Sequence, residues 1–285
     1  MLRTTVYVLL TIVLCTVGGL ALLFAGDTAS LPRTNTGQFS ADQPAPAAQR
    51  TVDPNTYKDL LAKLEAERRK LGSRYQTASP AERPALIVAA RAVVTRSIYE
   101  DVFPAWYGTG WDFNGTSEVP QQGKIACGYF VSTVLRDAGY KVERVRLAQQ
   151  ASENIILSLT TAPFVRRFRR VAIGDFVNAV RESGPGIYIV GLDVHVGFIV
   201  NTGDEVYFVH SSYVEPYTVI REKAIESRIL AGSNYRVLGN ILADDELIST
   251  WLTGKAIATK IVSAGSHSLR RATSGSTFVA RLAGM

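Results

Sequence analysis

Two cysteines and three histidines are the side chains best equipped for covalent chemistry in this 285-residue chain. Cys15 lies inside an apolar run, which leaves Cys127 as the one thiol in the remainder. A free cysteine is commonly a small buried hydrophobe, but the setting of Cys127 suggests more. It follows a loop containing Gly123 and opens a segment in which Phe130, Val131, Val134 and Leu135 recur at helical spacing, with Gly139 placed to stop the helix. A thiol at a helix amino terminus lies in the positive end of the dipole, among N–H groups that have no partner within the helix. With an imidazolium nearby, such a thiol is expected to titrate at roughly 3.5–7.5. First-turn N–H groups, that of Gly128 among them, could also receive an oxyanion.

His195 and His210 stand on consecutive strand-like runs, 195–200 and 206–211, whereas His267 belongs to the tail. A two-residue turn at Thr202-Gly203 would pair Asn201 with Asp204 and set His195 directly opposite His210. A register two residues along would still keep both on one face. Two imidazoles on one face of apolar strands are costly unless paired or functional. One could take the thiol proton while the other fixes its tautomer. Cysteine and two histidines are also metal-ligand types, but no close pair such as CxxC or HxxxH is present, so neither metal nor cofactor is expected.

The elements around these residues follow from periodicity. Leu60, Leu61, Leu64 and Leu71 recur at helical spacing within residues 55–74. Ser79, Pro80 and Glu82 have the spacing of a helix start, and Leu86, Ile87, Ala90, Val93, Val94 and Ile98 continue it. Residues 55–102 are therefore expected to form a helical hairpin, and 103–252 the domain that carries the site. Helices come first and strands later, with a third strand-like run at 187–191, so the fold class expected is α+β with a small antiparallel sheet.

Residues 5–26 carry no charge and are about long enough to cross a bilayer core. Residues 1–26 are thus expected to be a transmembrane anchor or a signal peptide, and both place the rest outside the cytoplasm. A flexible linker, 27–54, and a weakly ordered tail, 253–285, flank the folded part. The net charge of +6 suits work near anionic surfaces. It is too dispersed for nucleic-acid binding, and the cluster Arg166, Arg167, Arg169 and Arg170, interleaved with Phe164 and Phe168, is expected to be a solvated helix face or loop with two aromatic anchors.

Gly110-Trp111-Asp112-Phe113-Asn114-Gly115 and Ala126-Cys127-Gly128-Tyr129-Phe130-Val131 resemble the nucleophile region of the NlpC-type papain-like cell-wall endopeptidases. That region shows a Gly-Thr-x-Tyr-x-x-Gly-Gly stretch and then Asp-Cys-Ser-Gly-Phe-Val at a helix start. His195-Val196-Gly197-Phe198-Ile199 is similar to the family's catalytic His-Val-Gly-Ile strand, and Phe208-Val209-His210-Ser211-Ser212 to the strand carrying its third polar residue. Gly174-Asp175-Phe176-Val177 is similar to its Gly-Asp-Leu-Val turn. The resemblance spans about half the chain. It implies a papain-like NlpC-type domain, with the nucleophile helix packed on the sheet, Cys127 as nucleophile, His195 as base, His210 orienting it, and Trp111 at the family's tyrosine position, where its indole N–H could serve the oxyanion or its ring simply form an aromatic wall.

Ala126 and Gly128 stand where the family has the Asp and Ser that bind a stem-peptide amine. The substrate is thereby open between a cell-wall peptide and another amide or acyl compound. Acyl transfer or thioester and lipid hydrolysis on the same fold, and a non-catalytic envelope binding module, are the alternatives.

Overall fold

The computed structural model describes residues 52–261. The expected anchor or signal segment at 1–26, most of the linker, Cys15, His267 and the end of the tail lie outside the described residues. Among the described residues no helix is long and apolar enough to cross a membrane.

The chain opens with helix α1 (Pro54–Thr77), started by Pro54 and by the Asp53 carboxylate accepting the Asn55 N–H. Helix α2 (Arg83–Arg96) follows a turn in which the Glu82 carboxylate accepts both the N–H and the hydroxyl of Ser79. A π-type turn (Ser97–Val102) leads into the short α3 (Phe103–Trp106). Then come α4 (Cys127–Asp137), β1 (Lys141–Val142), α5 (Arg144–Ala148), α6 (Ser152–Leu159), β2 (Val165–Arg169) and α7 (Ile173–Glu182). The remainder is β3 (Gly186–Leu192), β4 (Val196–Asn201), β5 (Val206–Ser211), β6 (Val219–Lys223), α8 (Arg228–Gly232), β7 (Tyr235–Asn240), α9 (Asp245–Thr253) and β8 (Ala256–Ile257).

Six strands form one antiparallel sheet in the order β2-β7-β3-β4-β5-β6, and β1 pairs with β8 in a small parallel ribbon. The fold is therefore α+β around a small antiparallel sheet. Every residue of β3 and β4 is buried, because helices cover both faces. Phe198, Val200 and Val209 face one core, shared with Phe130 and Val134 of α4 and with the amino-terminal helices. Ile199, Phe208 and Tyr188 face a second core with Phe176, Val177 and Val180 of α7. The ring of Phe130 meets Phe198 edge-on at 6.0 Å, which seats α4 on β4.

Helices α1 and α2 are fastened to the rest by buried polar groups. Arg68 donates to the carbonyls of Trp251 and Leu252 at 3.1 and 3.2 Å. Arg91 donates to the Leu242 carbonyl at 2.6 Å and pairs with Asp245. The Tyr57 hydroxyl donates to Asp137 at 2.7 Å and accepts the Trp106 indole N–H at 3.0 Å. Buried hydrogen bonds to charged groups contribute about 1.5–3 kcal/mol each, so these contacts hold the helices as part of the domain and brace the far end of α4.

Two local expectations are corrected. The arginine cluster lies mainly on β2, an edge strand paired with β7, and not on a helix or loop. Its alternation suits a strand: Arg167 pairs with Glu153, Arg169 lies over the Tyr235 ring, and Phe168 between them is buried. Gly174-Asp175-Phe176-Val177 forms the first turns of α7 and not a turn before a strand, because Phe176, Val177 and Val180 bury one helical face.

Candidate active site

Cys127 is the first residue of α4. The extended chain before it is held from two sides. The Ile125 N–H donates to Gly110 and the Ala126 N–H to Gly115, both at 2.8 Å. The Ser211 hydroxyl, beside His210, donates to the Ile125 carbonyl at 2.7 Å. A Cβ on Gly115 would stand 2.6 Å from the Ile125 nitrogen, so only glycine permits this approach. The sequence thus spends its glycine loop on fixing where the helix begins.

The backbone N–H groups of Val196, Gly128 and Cys127 itself interact with the sulfur and favour its anionic form. Burial opposes them and wins, pushing the thiol above its ordinary value. The expected low thiol pKa is therefore corrected for the resting protein: three neutral donors do not offset removal of the sulfur from water. The Val196 contact also sets the sulfur beside the peptide that joins His195 to β4.

His195 caps the turn between β3 and β4, its carbonyl accepting the Leu192 N–H at 2.8 Å. Only 4% of it is exposed, and His210 is wholly buried. The Nε2 of His195 lies 3.0 Å from the Nδ1 of His210. The Nε2 of His210 lies 3.2 Å from the Oε1 of Glu222. The two histidines do share a face, but not as a directly opposed pair. Phe198 pairs with Val209 and Asn201 with Val206, so the turn is Gly203-Asp204 and His195 is diagonal to His210. Gly203, with φ of +98°, takes the first turn position, where positive φ is required. Thr202, one residue before, pairs with Glu205 through backbone and hydroxyl.

Glu222 was not anticipated from the sequence. It lies on β6 opposite Phe208, on the face that carries His210. Burial alone would raise its carboxyl, but hydrogen bonds from His210 and Ser227 bring it below the ordinary carboxylate value. Burial pushes His210 down although Glu222 pulls it up, and burial followed by the charge of His210 pushes His195 well down. Both histidines are thus neutral at pH 7, and Glu222 is ionised.

Those charge states dictate the protons. An ionised carboxylate only accepts, so the Nε2 of His210 carries hydrogen and its Nδ1 is bare. That bare nitrogen must accept, which puts the hydrogen of His195 on Nε2. The Nδ1 of His195 is then left with a free lone pair, on the residue whose following peptide touches the thiol.

Tyr213, also not anticipated, stands with its ring 5.1 Å from that of His195, edge-on. Burial and the nearby Cys127 raise its phenol. Trp111 packs against Tyr213 and Tyr217, at 6.3 Å from each, and its backbone N–H donates to the Tyr217 carbonyl at 2.7 Å. Trp111 thus stands in an aromatic cluster with Tyr213 and Tyr217. Gly128 is held to glycine by packing, since a Cβ there would lie 2.2 Å from the Ala148 carbonyl oxygen. The serine of the family pattern does not fit against α5. No family model, no curated protein and no solved structure matches this chain.

Proposed function

We propose that this protein is a cysteine hydrolase of the cell envelope, a divergent member of the NlpC-type papain-like group, that cleaves an amide. The observation that carries the proposal is the hydrogen-bond chain His195–His210–Glu222, which leaves His195 Nδ1 without a hydrogen on the residue whose neighbour Val196 turns its N–H to the Cys127 sulfur. Neutral pairs are inert at rest, and proton transfer accompanies attack.

In the reaction, the Cys127 sulfur attacks the substrate carbonyl as its proton passes to His195 Nδ1. The positive charge on His195 is shared along the chain to Glu222, and the oxyanion is received by the first-turn N–H groups of Cys127 and Gly128. The carbon–nitrogen bond then breaks, with the leaving amine taking the proton from His195. Water attacks the resulting thioester, giving its proton to the same nitrogen. The thiol is restored when the sulfur leaves. A cell-wall peptide suits an exported domain, and residues 1–26 would tether it to the membrane.

The test is acylation of the full-length chain by p-nitrophenyl acetate, with Cys15→Ser so that one thiol remains. The expected result is a burst of one equivalent of nitrophenol and an acetyl mass on Cys127, both lost in Cys127→Ala and reduced at least about 100-fold in His195→Ala. A chain that shows no burst, or acetylates equally in both variants, is not a cysteine hydrolase.

A further inference from the structure

A concave pocket of 180 Å³ opens beside His195 and is lined by Val194, Tyr213, Val214, Ile229 and Gly232. Its walls are mainly apolar, yet Val194 is 51% exposed and Val214 38% exposed. These valines, from turns on either side of His195, bury little of themselves in the protein's own cores. Ile229 and Gly232 come from α8, whose position is fixed: buried Arg236 donates to the carbonyls of Leu230, Ala231 and Val171, and the Ser227 hydroxyl caps its start. Of the two charged groups at the rim, Asp193 turns its carboxylate to the Asn234 N–H and the Ser233 hydroxyl, and Arg228 is exposed. The pocket is thus preformed, apolar and open to solvent.

Its place relative to the reacting groups matters more than its lining. His195 borders it and Cys127 does not. The acyl half of a substrate becomes bonded to sulfur, while the leaving amine must pass His195 to collect its proton. We propose that this pocket binds the leaving half of the amide and that this half carries one bulky apolar side chain. A cavity of about 150 Å³ holds benzene, so the space fits a group of leucine or phenylalanine size. The pocket's role rests on the hydrolase reading above and narrows its substrate class to amides formed by apolar amines.

By microscopic reversibility the same subsite should receive an amine that attacks the acyl-enzyme. The amine nitrogen bonds to the acetyl carbon, its proton passes to His195 Nδ1, and the Cys127 sulfur leaves and recovers that proton. The experiment acetylates the full-length chain with p-nitrophenyl acetate in equal concentrations of leucinamide and glycinamide, and weighs the two N-acetyl products. Leucinamide is expected to be favoured at least about tenfold, the usual scale for a hydrophobic subsite. Gly232→Leu fills the pocket from a position where an added Cβ meets nothing within 4 Å. It should bring the ratio towards one, and the ratio is read from the products of the variant's own acyl-enzyme, whatever the size of its burst. Val194→Asp, on the exposed turn, should do the same by adding charge.

Equal products from the unaltered chain with a full burst would overturn the pocket and leave the hydrolase standing. A leucinamide preference unchanged in both variants would overturn it too. Absence of the burst would remove the hydrolase and the subsite together.

Discussion

A Cβ on Gly197 would stand 2.8 Å from the Cβ of His210, closer than real side chains approach. The diagonal meeting of the two histidines depends on that missing atom. With Gly197 across from it, His210 lies on the strand with its ring stacked on Phe208 at 4.0 Å and reaches His195 on one side and Glu222 on the other. Gly197→Ala is expected to displace His210, to cost about 1–3 kcal/mol by overpacking, and to lower acylation of Cys127 by more than tenfold. Urea unfolding and the nitrophenol burst measure the two effects. A variant with unchanged burst would show that the 3.0 Å contact is not required.

The resting thiol is held up by burial. Alkylation of Cys127 by iodoacetamide should therefore be slow at neutral pH and rise only above the ordinary cysteine range of about 8.5. A plateau already reached near pH 6 would mean a resting thiolate and would contradict the neutral pair.

In the proposed reaction Glu222 acts through His210, as a positioning residue. Glu222→Gln keeps the shape but removes the charge, and its amide can donate to His210 as easily as accept. The tautomers are then no longer fixed, and acylation is expected to fall about 10–100-fold, part of the usual contribution of acid–base catalysis. The carboxylate pulls His210 upward, so its loss should also move the acid limb of the pH–rate profile to lower pH. A purely structural role would lower the amount of folded protein without moving that limb.

Stability should depend on pH in a definite sense. Both histidines titrate below the ordinary value of 6.5 when folded. As pH falls below that value the unfolded chain binds protons that the folded chain refuses, so stability falls. The slope is up to about 1.4 kcal/mol per pH unit for each histidine. Glu222 has the opposite charge but the same sense: its contribution is present above the ordinary carboxylate value and is lost as pH falls through its lowered folded pKa. Urea midpoints between pH 7 and pH 5 should drop in the unaltered chain and drop less steeply in His195→Asn. Parallel slopes would mean that His195 is not buried neutral.

The sequence alone determined the elements that carry Cys127, His195 and His210 and the chemistry those residues could support. Apolar spacing marked α4 and made Cys127 its first residue, and the alternation of two strands put His195 and His210 on one face whichever even register was chosen. Both features are local, because helix and strand periods are properties of neighbouring residues. What lay beyond was decided by tertiary structure. The exact pairing turned on whether Gly203 or Thr202 took the first turn position, a choice of one residue that shifts partners by two. Glu222 sits beyond the irregular connection 212–218, across which no pairing can be counted, so no local pattern placed it beside His210. The thiol's pKa likewise could not follow from its helix position, since the dipole is a property of α4 while desolvation comes from everything packed around the sulfur. Local order set which groups were available, and only the packing of distant segments set their distances, their protons and the apolar pocket at their side.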